Sequence, residues 1–115
     1  MTQSKHTPGP WTYQGIGPSF DVTAQATSGA RFMGRFIARC PERVAGFEPT
    51  EEDERQANAH LIAAAPELLG ALKEMANKLA AMMQDYELPE ECNGIISGEL
   101  DAANIAIAKA EGSTR

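Results

Sequence analysis

Three arginines, Arg31, Arg35 and Arg39, stand at every fourth position of one segment. On an extended strand, rising near 3.3 Å per residue, such positions share a face and lie about 13 Å apart. A planar guanidinium donates paired hydrogen bonds to phosphate or carboxylate, so the row has the chemistry of an anion-binding surface for a phosphate or an acidic partner. The plainer reading is a solvated strand face whose arginines pair with an acidic run further along the chain. That run includes Glu51, Glu52, Asp53 and Glu54. Consecutive carboxylates point around a helix rather than converge on a metal, and in a first turn they complement the helix dipole. Glu51, Glu52 and Glu54 would equally suit docking against a basic site on another protein.

Other candidate chemistry is sparse. His6 and His60 are the two histidines, and neither has Cys, Asp or Glu at a spacing that completes a zinc site. Cys40 and Cys92 are far apart and form no CxxC, so no disulfide framework or metal knuckle is implied. No serine stands in GxSxG, and the GIGP stretch at Gly15 to Pro18 has no helix opening behind it to hold a dinucleotide. No nucleophile, general base or paired carboxylate assembles, so no enzyme activity and no cofactor are expected. The segment HTPGPW, His6 to Trp11, has two prolines that fix φ and a glycine that permits a turn. It reads as a stiff arm that seats Trp11 against the core and presents His6 to a ligand or partner.

At 115 residues the chain is the size of one domain, expected to bury roughly two thirds of its unfolded surface. Its organisation is read as an extended arm over 1–10, a β-meander over 11–46 and a helical region over 50–110, with composition changing near Pro49. A hydrophobic fraction of 43% and a charged fraction of 23% argue against disorder. The net charge of -6 disfavours direct nucleic-acid or anionic-membrane binding. No apolar run approaches the ~18 residues of a membrane span, and no signal-peptide stretch opens the sequence. A cytoplasmic protein is expected.

The elements that must position these groups follow from periodicity. Trp11 to Ile16 is a candidate strand, and Phe20 to Ala26 alternates as a half-buried one. Ser28 and Gly29 supply a turn, and Arg31 to Cys40 returns as the partner strand. Strict alternation puts Phe32, Phe36, Ala38 and Cys40 on one face and Arg31, Met33, Arg35, Ile37 and Arg39 on the other. A helix is predicted from Glu51 to about Ala64, capped by Thr50, with Ala57, Leu61 and Ala64 in the core. Pro66 breaks it and suits the first position of the next helix. Leu68, Leu72, Met75, Leu79 and Met82 then form an apolar stripe, answered by Ile96, Leu100, Ala103, Ile107 and Ala110. An antiparallel helix pair is expected along these stripes, with the Met82 and Met83 end extending the contact into a homo-oligomer. The fold class is α+β: a meander of about three strands packed on C-terminal helices.

HTPGPW near the start and ANAHLIAAAPELL at Ala57 to Leu69 resemble the corresponding segments of a widespread family of small phage and prophage proteins. The resemblance covers most of the chain, is weakest from Glu87 to Gly98, and brings no catalytic residues with it. It implies a small, non-enzymatic accessory protein acting in the host cytoplasm, plausibly against bacterial defence. Two modes of action fit: sequestering a small anionic, nucleotide-like ligand with Arg31, Arg35, Arg39, His6 and Trp11, or inhibiting a host protein complex through Glu51, Glu52 and Glu54. A structural or regulatory oligomer is a third.

Overall fold

The computed structural model describes residues 6–25 and 34–112. Strands β1 (Trp11–Ile16), β2 (Ser19–Ala24) and β3 (Arg35–Cys40) precede helices α1 (Glu52–Ala63), α2 (Ala65–Asp85) and α3 (Glu90–Ala110). The strands form one antiparallel sheet in the order β1-β2-β3, giving the α+β class expected. The described chain forms two compact units, one of residues 7–67 and one of residue 6 with residues 68–112. Helix α1 therefore belongs with the sheet, and the boundary between units falls after Glu67. The turn at Ser28 and Gly29 lies outside the described residues.

Within the sheet unit, Gly17 at φ 59° joins β1 to β2 in a tight turn that a side chain would strain. Trp11 pairs with Ala24 and Tyr13 with Val22, so these four share the inner face. Strand β3 departs from strict alternation. Its register runs Val22↔Ala38 and then Thr23↔Phe36, which leaves Ile37 as the extra residue of a β-bulge. Ile37 packs on the core while Phe36 is turned outward and 60% exposed, the reverse of the alternation expected for this strand. The bulge also reverses the phase of everything before it. Arg35 pairs with Ala24 on the inner-face register, whereas Arg39 pairs with Asp21 on the outer one.

Helix α1 covers the inner face and touches all three strands. Its N-cap is Glu51, with no side-chain capping bond, rather than Thr50. Thr50 is committed elsewhere: its N–H donates to Glu42 O at 3.2 Å and its hydroxyl to Pro41 O at 3.3 Å, closing the loop that follows β3. The buried face is Arg55, Ala59 and Ala63, one residue per turn, and not Ala57, Leu61 and Ala64. Leu61 is 64% exposed, while Ala59 and Val22 are both 0% exposed in a core completed by Cys40 and Ala63. Small side chains at the contact let the helix lie close to the sheet.

Helix α1 stops at Ala63 with Ala64 as its C-cap, and Pro66 sits in the first turn of α2, where its missing N–H is not needed. The proline thus ends one helix and starts the next. It also meets the N-terminal arm: a Cβ at Gly9 would lie 2.9 Å from Pro66 Cβ, so only glycine fits this crossing.

In the helical unit, Leu69, Leu72, Ala76, Leu79 and Met83 form the covered stripe of α2, with Ala76 buried and the others half-buried. Leu72 and Leu79 belong to the stripe expected, but Leu68, Met75 and Met82 are exposed. On α3, Ile96, Leu100, Ala103 and Ile107 are half-buried as expected, and Ala110 is exposed. Lys73 Nζ, early in α2, meets Glu111 Oε2 at the α3 C-cap at 2.5 Å, the pairing of ends that an antiparallel hairpin gives. Among the described residues no helix is long and apolar enough to cross a membrane.

Candidate functional site

The expected row of three arginines is not what the bulged strand builds. Arg31 lies outside the described residues, and Arg35 and Arg39 fall on opposite faces of the sheet register. Arg39 is instead held by a neighbouring strand: its Nε donates to Asp21 Oδ1 at 2.6 Å and its Nη2 to Asp21 Oδ2 at 2.9 Å. The Phe36 ring, turned out by the bulge, lies 5.7 Å from Arg39 Cζ in a cation–π contact. Arg39 therefore pairs with Asp21 and not with the acidic start of α1. Glu51, Glu52 and Glu54 are exposed there, where they complement the helix dipole.

The hydrogen bonds from Arg39 hold the Asp21 carboxyl below its ordinary range, outweighing the opposing effect of burial, and raise the guanidinium in turn. A depressed folded-state value makes the pair's contribution complete above the unfolded carboxylate value of about 3.9, and it is lost as pH falls through the lower folded value. Asp21→Asn should accordingly flatten the acid limb of a plot of urea midpoint against pH. Parallel limbs for the two proteins would show that the pair does not couple to folding.

A second arginine, not singled out by the sequence, is more unusual. Arg55 is only 5% exposed, beneath the first turns of α1. One terminal nitrogen, Nη1, donates to the Thr50 carbonyl and lies 3.4 Å from Thr50 Oγ1, while its Nε is buried with no hydrogen-bond partner. Among the described residues no carboxylate pairs with it. Stripping water from a cation has an effective penalty of several kcal/mol, normally offset by a counter-ion, and no group among the described residues supplies one.

Arg55 lines a cleft of about 350 Å³ between the end of β3, the following loop and α1. Arg39, Cys40, Pro41, Thr50 and Asn58 line it too, with Leu61 and Ile62 as its apolar wall. The guanidinium of Arg39 is turned to Asp21 on the outer face and its charge is paired there, so Arg55 is the cation lining this cleft that has no carboxylate partner among the described residues. The cleft therefore sets the uncompensated Arg55 guanidinium, with Thr50 and Asn58 beside it, against an apolar wall, a composition that suits an anion. It adjoins a second cleft of about 380 Å³, lined by Pro41, Glu42, Val44, Phe47, Glu48 and Thr50.

None of the remaining candidates lines the Arg55 cleft. Trp11 packs against the core, and its indole N–H donates to Thr7 O at 3.1 Å, the anchoring role expected of it. His6 belongs to the helical unit and Trp11 to the sheet unit. His60, on the exposed side of α1, lies 2.7 Å from the Tyr13 hydroxyl with the two rings 4.3 Å apart, a surface clasp between helix and sheet.

Residues 1–114 match the family model described as Salmonella phage P22 protein Y8K6. The chain belongs to this phage protein family. No curated protein and no solved structure matches it significantly. Membership in the P22 Y8K6 family places the protein among phage proteins, and the family's description names no ligand or reaction.

Proposed function

We propose that this phage-family protein is a non-enzymatic binding protein that sequesters a small phosphate-bearing ligand in the cleft lined by Arg55. One observation supports this above the others: Arg55 is a buried cation that lines an open cleft and has no carboxylate partner among the described residues. A bound anion would supply the missing counter-charge and accept the donors that the protein leaves over. In a phage protein such sequestration would serve to remove a host signalling molecule, an anti-defence role. Calorimetric titration with inorganic pyrophosphate and a panel of cyclic and ADP-ribose nucleotides tests the reading. Saturable binding of one anion per chain is expected, and silence across the whole set would contradict it.

Self-association is a second property favoured by a separate observation. Leu68, Met75 and Met82 recur every seventh residue of α2 and are exposed, while Ala76 is the one buried residue of the described helical unit. So small a core is below what an isolated hairpin needs, and an identical stripe from a second copy gives a four-helix arrangement. A solution mass of at least twice 12.3 kDa is expected, reduced to that of one chain by Met75→Glu. A monomeric wild-type protein would contradict it.

A further inference from the structure

We infer that the ligand of the arginine cleft is a nucleoside phosphate, with its phosphate at Arg55 and its base in the adjoining cleft against Phe47. This rests on the reading of the arginine cleft as an anion site and adds the class of molecule it takes. The two clefts share Pro41 and Thr50 in their walls, so one small molecule can occupy both. Their chemistry is divided. The first offers the Arg55 guanidinium, whereas the second combines the apolar surfaces of Pro41, Val44 and Phe47 with two acidic residues, Glu42 and Glu48.

Those carboxylates repel a phosphate and accept hydrogen bonds, so they fix which end of the ligand goes where. The group in the second cleft must have a face that packs on apolar and aromatic surface and an edge that donates N–H. A nucleobase with an amino group meets both demands, and guanine meets them best, because its ring N–H and amino group present two adjacent donors to one carboxylate. Phe47 is 74% exposed, a large aromatic surface open to solvent. Base stacking on such a ring is tolerant of base identity, so the ring supplies affinity and the carboxylates supply selection.

The loop is also held ready. Phe47 N donates to Val44 O at 3.0 Å, Thr50 N donates to Glu42 O at 3.2 Å, and Gly46 at φ 87° takes the turn that other residues resist. A loop already fixed in place loses less conformational freedom on binding.

Calorimetry with guanosine diphosphate, uridine diphosphate and inorganic pyrophosphate, on wild type and on Phe47→Ala and Glu42→Gln/Glu48→Gln, separates the contributions. Wild type is expected to bind guanosine diphosphate at least ~10-fold more tightly than pyrophosphate, and Phe47→Ala to remove about tenfold from the nucleotide while leaving pyrophosphate unchanged. The double glutamine variant should narrow the preference for the guanosine over the uridine compound. Pyrophosphate binding with no added affinity for either nucleotide, or an equal loss for both ligands in Phe47→Ala, overturns the nucleotide assignment alone. Failure of pyrophosphate and nucleotides alike overturns the anion site as well. Phe47 is exposed, so its replacement leaves the core intact.

Discussion

Arg55→Met is expected to lower pyrophosphate affinity at least 100-fold while leaving the urea midpoint unchanged or raising it. These two outcomes rarely go together, and their combination is what distinguishes an anion site from a structural peg. Breaking a buried ion pair usually costs about 3–5 kcal/mol, because the abandoned partner is left charged and dry. Arg55 has no such partner among the described residues. What methionine gives up is the bond to the Thr50 carbonyl, a loss of about 1–3 kcal/mol if that oxygen stays buried and unpaired. What it removes is a desolvated guanidinium whose Nε is unsatisfied, an effective penalty of several kcal/mol. Methionine is flexible enough to fill the space left. Binding, by contrast, loses its central charge, and Arg55→Lys should retain part of it without the fork of paired donors. A variant that unfolds and one that folds but still binds would both argue that Arg55 serves the scaffold only.

The largest effect on stability is expected from Ala59→Leu, a loss of about 1–3 kcal/mol or more. Ala59 and Val22 are both 0% exposed and lie in one cluster with Cys40 and Ala63, so the side chain added to the helix must push α1 off the sheet or force rotamers on its neighbours. Against a total stability on the order of 5–15 kcal/mol this is a large fraction. Leu61→Ala is the control. Leu61 is exposed on the same helix, and its truncation should stay within about 0.5 kcal/mol. Urea unfolding of the two variants gives the comparison, and a larger loss in Leu61→Ala would mean that α1 presents a different face to the sheet.

The contrast between Ala59 and Leu61 shows what the sequence made legible. Strand β2, the break at Pro66 and the α3 stripe were all readable, because each rests on a local signal: alternation, a missing N–H, or one apolar seam. The covered face of α1 was not, because alanine is compatible with either side of a helix, so the larger Leu61 drew the expectation toward the wrong face. Helix α2 failed in the same way. Leu72 and Leu79 belong to the expected and the observed stripe alike, and Leu68, Met75 and Met82 compete with Leu69, Ala76 and Met83 for the remainder.

The candidate site was legible in part. Arg39 was found for its chemistry, but its alignment with Arg35 depended on a regular strand, and the bulge at Ile37 leaves no mark in an alternating pattern that can be read in either phase. Arg55 was hidden among Glu54, Gln56 and the preceding acids, where a charged residue reads as surface. Its spacing of four from Ala59 and eight from Ala63 was the available signal, and it becomes informative only once the buried face of α1 is known.

The most direct test follows the Arg55 Nε–H itself by nitrogen-15 NMR during titration with pyrophosphate. A buried Nε–H without a protein partner should be visible in the free protein, protected from rapid exchange with water, and should shift progressively to saturation at one anion per chain. A resonance that stays fixed while pyrophosphate reaches saturating concentrations, or shifts confined to other arginines, would contradict the assignment of this cleft as the anion site.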